Sequence, residues 1–210
     1  MPPPTIAEFK SALLTRPVAD VLRDYVFSGE PYAFREQPKA LQNLRTHVST
    51  ALTVNQENIV VVGSAQVGFS LSPDNFPRQF TNGSDIDVVV VDELLFDTVW
   101  HALLRWHYPR RLDLPRGDRE WAAARRKDLY FGWFVPDKIR FNGLSFPSAL
   151  KPIRDCSARW FNTFQSLANY PEFSRREVNG RLYRTWEHVH LYHAEGLRQI
   201  RELLPPQGGL

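Results

Sequence analysis

Two aspartates one residue apart, Asp85 and Asp87, interrupt an otherwise apolar run in "GSDIDVVVV", residues 83–91. Side chains alternate along a strand, so both carboxylates are expected on one face, with Ile86 and Val88 on the other. Two ionised carboxylates that close repel each other and are costly to bury alone. A divalent cation resolves the conflict. Magnesium, or manganese in its place, takes hard oxygen ligands, usually a few carboxylates together with substrate phosphates. Upstream, "NIVVVGS" ends in Gly63 and Ser64. Gly63 lets the backbone approach a ligand closely, and Ser64 with the amides that follow offers donors to phosphate oxygens. These parts suit a metal–triphosphate, with in-line attack on phosphorus as the chemistry.

The pattern around them sets out the elements that must position this chemistry. "NIVVV" reads as a buried strand and "DIDVVVV" as a second one, both rich in β-branched residues. "PKALQNLRTHVSTALTV" has Leu41, Leu44, Val48 and Leu52 on one helical stripe, and "DELLFDTVWHALLRWHY" reads as a helix opened by Asp92. At the N-terminus, Thr5 and Glu8 form a capping-box pattern for a helix broken near Pro17 and stopped at Ser28-Gly29. Further on, helices are expected around Trp121, across "DCSARWFNTFQSLANY", and from about Tyr183 to Leu204. Aromatic residues in "LYFGWFVPDKIRFNGLSFP" fit a strand or irregular structure, with a turn at Asn142-Gly143. Asn179-Gly180, between "RREV" and "RLYR", reads as a hairpin turn. The expected fold class is α+β, a mixed sheet flanked by helices, followed by a more helical C-terminal portion.

A glycine-serine turn closing one strand, then a strand bearing Asp-x-Asp, resembles the DNA polymerase β-like nucleotidyltransferase superfamily. The resemblance covers residues 59–91 and extends to the flanking helices, about 41–107. It implies that Gly63, Ser64 and Ser84 bind the nucleotide, and that Asp85 and Asp87 hold magnesium. It also implies a third carboxylate on a later strand that completes a two-metal site. Asp113 in "RRLDLP" is the nearest local match, and Asp128, Asp137 and Glu177 are the other acids considered. The twenty residues from Ala65 to Ser84 exceed what the family usually places there. Phe76, Arg78 and Phe80 within them are candidates for a lid or a protein-partner contact.

Composition bounds the alternatives. The chain has 210 residues and is 43% hydrophobic, which is enough for a folded core and argues against disorder. No apolar run approaches membrane-spanning length, and "MPPPTIAEFK" lacks a signal-peptide layout, so a cytoplasmic protein without membrane contact is expected. The single cysteine, Cys156, rules out an intramolecular disulfide and is read as structural. Charge divides unevenly: residues 1–104 carry a net −5 and residues 105–210 a net +8. The division suggests a nucleotidyltransferase-like core at 1–107 and a basic, mostly helical portion at 108–210 packed on it. Arginine dominates the second half and grips phosphate in a bidentate way, which suits an RNA, tRNA or protein acceptor or a solvated surface equally.

The functional expectation is magnesium-dependent transfer of a nucleotidyl group from a nucleoside triphosphate to an acceptor hydroxyl. By resemblance, a bacterial antiviral-defence or toxin–antitoxin setting is conceivable. The alternative is a catalytically degenerate subunit of the same fold, binding nucleotide or a partner without turnover. A missing third acid would favour that alternative. Arg184 and His190 in the last helix also resemble the loose Arg-x(4–6)-His pattern of HEPN ribonucleases, where such residues serve acid–base and phosphate-stabilising roles. Walker-type phosphate loops, dinucleotide glycine fingerprints and zinc-ligand spacings are absent from the sequence.

Overall fold

The computed structural model describes residues 3–110, 114–139, 147–173 and 175–205. Its centre is a four-stranded mixed sheet: β1 (Ile59–Val62), β2 (Ile86–Val91), β3 (Trp133–Phe134) and β4 (Val178–Tyr183). The spatial order is β1-β2-β4-β3. β1 runs antiparallel to β2, β2 parallel to β4, and β3 antiparallel to β4. The valine-rich β2 therefore lies between two partners. Packing on both faces of the sheet explains its near-continuous apolar sequence.

Eight α-helices surround the sheet among the described residues: α1 (Ile6–Thr15), α2 (Val18–Val21), α3 (Pro38–Leu52), α4 (Ser64–Val67), α5 (Glu93–His107), α6 (Arg116–Tyr130), α7 (Lys151–Ser166) and α8 (Trp186–Leu203). The architecture is α+β, as expected. Local sequence sets several helix ends. Thr5 and Glu8 close a complete capping box on α1, and Asp92 accepts the Leu95 amide at the start of α5. α3 ends where Thr53 turns left-handed, with φ 61°. α2 continues into a π-helical turn, Leu22–Val26.

One sheet face, carrying Ile59, Val61, Ile86, Val88, Val90 and Leu182, packs on the apolar stripes of α3, α5 and α7. The opposite face presents Val62, Val89, Val91 and Tyr183 to Val189 of α8, with Phe27 and Trp186 beside them. A third cluster joins α1 and α2 to the far end of α8 through Phe9, Leu13, Leu22, Leu197 and Ile200. β4 lies in the 108–210 half yet pairs along the whole length of β2, so the sheet crosses the boundary expected near residue 107. No helix of the described residues is long and apolar enough to cross a membrane.

The expected hairpin turn at Asn179-Gly180 is corrected: both residues lie inside β4. A Cβ on Gly180 would sit 2.2 Å from the Phe164 ring and 2.8 Å from that of Trp160, so the glycine serves close strand–helix approach. The Asn142-Gly143 turn falls outside the described residues.

Candidate functional site

β1 ends at Gly63, whose φ of 66° and ψ of −145° suit glycine alone. The chain then enters α4, a single turn in which the Gln66 and Val67 amides return to the Gly63 carbonyl. The first amides of that turn, those of Ser64 and Ala65, have no helical acceptor. Antiparallel pairing sets Val62 opposite Asp87. Gly63 thereby comes so close that a Cβ on it would sit 3.3 Å from Asp87 Oδ2. The residue beside the carboxylate must be small, and the sequence supplies glycine.

Asp85 stands one residue before β2 and Asp87 one residue inside it. Both line one cavity of about 610 Å³ together with Gly63, Ser64 and Ser84. All five of these expected site residues therefore converge. Asp87 opens into the cavity, yet the surrounding walls desolvate it and push its pKa up. Arg181 and Lys138 oppose that shift, whereas the neighbouring Asp85 charge adds to it. Ser84 does a second job: its hydroxyl accepts the Thr81 amide and fixes the turn that leads into β2.

The strand on the other flank of Asp87 carries no acid toward the cavity. β4 sets Asn179 beside Asp87, and Arg181 follows on the same face beside Val89. Arg181 is half-buried, its guanidinium carbon 4.5 Å from the Trp133 ring centroid and 4.6 Å from that of Tyr192. Asp128 is engaged by Arg125 on α6. Glu177 gives its backbone carbonyl to the Ile86 amide, and its side chain is not part of the cavity wall. Asp137 lies in a short 3₁₀ turn and is not in the wall either. Asp113 falls outside the described residues. Among the described residues, no three of His, Cys, Asp and Glu gather to hold a metal.

The donor set fits one hard cation with Asp85 and Asp87 as its protein ligands and phosphate oxygens completing the shell. It does not fit a cage of two metals built by the described side chains alone. When bound, the ion would neutralise the carboxylate pair and polarise a phosphate.

The long insert between the two strands lines the cavity and packs partly on the N-terminal cluster. Phe69 pairs with Gln79 in an isolated bridge, and the Phe80 amide donates to the Gly68 carbonyl. Phe69 and Phe76 pack against Phe9 at ring-centroid distances of 5.3 and 6.2 Å, and Phe80 is buried. Arg176 fastens the end of the insert through the carbonyls of Thr81 and Ser84 and the side chain of Asn82. Phe80 is thus held in the core, and Phe76 is partly buried against the N-terminal cluster. Arg78 keeps its exposed position on the cavity rim.

Several arginines of the basic half are engaged within the fold. Arg184 is paired with Asp97 and Glu93 of α5, Arg116 with Glu120, and Arg198 with Glu195. His190 meets the edge of Phe27 at 4.8 Å, so Arg184 and His190 are engaged on separate neighbours. Cys156 is buried, and desolvation pushes its thiol up to about 11, which suits a packing role. Sequence reasoning missed Arg181, Lys138, Tyr192 and His193 as cavity residues. Only the alternation of "VNGRLY" with Arg181 in phase with Asn179 signals one of them, and the Asn-Gly pair masks it.

No family model, curated protein or solved structure matches the chain.

Proposed function

We propose that the cavity binds a nucleoside triphosphate as its magnesium complex, in the manner of a nucleotidyltransferase-like site with a single protein-held metal. The observation that carries this reading is the convergence of Asp85 and Asp87 with the Gly63-Ser64 turn in one cavity that Arg181 and Lys138 also line. Carboxylates alone would attract cations of many kinds. Carboxylates that share a cavity with two cationic side chains instead suit a ligand that brings a metal and several negative charges together. With Arg181 on the strand beside Asp87, binding without turnover is the leading reading. Nucleotidyl transfer to an acceptor hydroxyl is the second, and the same Asp-x-Asp and glycine-serine pairing favours it.

Calorimetric titration with ATP, GTP, CTP and UTP, each with and without MgCl₂, tests the first reading. At least one triphosphate is expected to bind only with the metal present. Asp87→Asn should lower that affinity ten-fold or more, about 1.4 kcal/mol. Equal binding by wild type and variant would remove the carboxylate pair from the site. Incubation with α-labelled triphosphates, magnesium or manganese, and total RNA or protein separates the two readings. Label moved to an acceptor by wild type and not by Asp87→Asn establishes transfer.

A further inference from the structure

Arg181 has an unusual setting for a charged side chain. It projects from an interior strand into the cavity and lies against the rings of Trp133 and Tyr192, which themselves meet edge to face at 5.4 Å. Its fork meets neutral hydroxyls, that of Tyr183 at 3.5 Å from Nη1 and that of Tyr192. Among the described residues no carboxylate lies within 4.0 Å of it, whereas Arg184, three residues on, holds two. Asp87 shares the cavity and feels the Arg181 charge without pairing with it, which leaves the guanidinium able to take an anionic ligand. Aromatic faces hold the plane of the fork while leaving its N–H edge for a ligand.

His193 lies at the same end of the cavity. Its Nε2 is buried without a hydrogen-bond partner. Desolvation, the Arg181 charge and His190 pull its pKa down to about 4, so the ring is neutral at physiological pH. A neutral imidazole can give Nε2–H to a phosphate oxygen without adding charge.

We propose that Arg181 and His193 form a phosphate subsite on the β4 flank of the cavity, so that a polyphosphate chain is gripped on both sides of Asp87. Gly63 and Ser64 hold it from β1, and the new subsite holds it from β4. The two flanking strands are separated by two interstrand spacings, roughly 10 Å, a gap that a chain of several phosphates spans and one phosphate does not. Charge agrees. The cavity is lined by three cationic side chains, Arg78, Lys138 and Arg181, against two carboxylates. With a divalent ion added, the walls carry three net positive charges, which suit a triphosphate better than a monophosphate. The proposal rests on the nucleotide reading above and adds chain-length selection to it.

Competition against the tightest-binding fluorescent triphosphate in MgCl₂ provides the test. Inorganic tripolyphosphate should displace the probe at concentrations where orthophosphate does not. Arg181→Met, which keeps an apolar stem against the rings, should weaken tripolyphosphate and triphosphate at least ten-fold while leaving the melting temperature within a few degrees. Arg181→Lys should recover part of the loss, and His193→Phe should cost a few-fold. Undiminished tripolyphosphate binding by Arg181→Met overturns the subsite and leaves the nucleotide reading standing. Failure of wild type to bind any triphosphate with magnesium overturns both. If Arg181→Met does not fold, phenylglyoxal modification of wild type, mapped by mass spectrometry, decides. Tripolyphosphate should slow modification of Arg181 and not of Arg184, and equal rates overturn the proposal.

Discussion

At the scale of single residues, burial makes two groups of the cavity respond to acid in opposite ways. His193 has its pKa pulled down to about 4 in the folded protein, against 6.5 for an ordinary histidine. The unfolded chain therefore takes up a proton below pH 6.5 that the folded chain refuses until about pH 4. Stability falls as pH drops through that window, by up to about 3 kcal/mol at its lower end. Asp87 shifts upward, so its folded carboxyl holds a proton that the unfolded chain has released. Its contribution runs the other way: it favours the fold at low pH and is lost as pH rises above the ordinary aspartate range. Urea unfolding of wild type and His193→Phe between pH 7 and 4 separates the two. The variant should lose most of the acid sensitivity, because Phe fits among Phe27, Tyr183 and Tyr192 without a group to protonate. An unchanged slope would place the acid sensitivity elsewhere.

Among the elements, β4 decides most about the site. It sets Asn179 and Arg181 beside the β2 acids and turns Gly180 toward the α7 aromatics. Gly180→Ala should force Trp160 and Phe164 apart and cost about 2–3 kcal/mol, lowering the melting temperature by roughly 5–10 °C. A melting temperature unchanged by that substitution would mean that the two rings have room to move. β1, β2, α3 and α5 were legible in the sequence because each carries a strong local signal: β-branched runs, a four-residue apolar stripe, and an aspartate cap. β4 was not. Asn-Gly is the usual signature of a two-residue turn, but inside a strand packed on aromatic rings the same glycine answers to a neighbour 2.2 Å away. The insert between β1 and β2 misled in the same way, since local composition reads as an open loop while three phenylalanines fasten it to the body.

The whole molecule is organised around β2, whose partners come from both halves of the chain. A fragment of residues 1–107 would leave the β4-facing edge of a four-valine strand unpaired and the α3 and α5 stripes without α7. Such an edge invites association with other chains. The fragment is expected to aggregate and to give a poorly dispersed amide NMR spectrum; a sharp, dispersed spectrum would mean that the first half folds alone. What the sequence determined by itself was the α+β class and the β1 flank of the site: Asp85, Asp87, Gly63 and Ser64 are close along the chain or joined by one strand pairing, so alternation and turn chemistry suffice to unite them. Which groups face those carboxylates from β4 and α8 was decided only by tertiary structure. Arg181 and His193 lie about a hundred residues further along. They reach the cavity because a parallel pairing sets β4 in register with β2 and apolar packing lays α8 across the same sheet face.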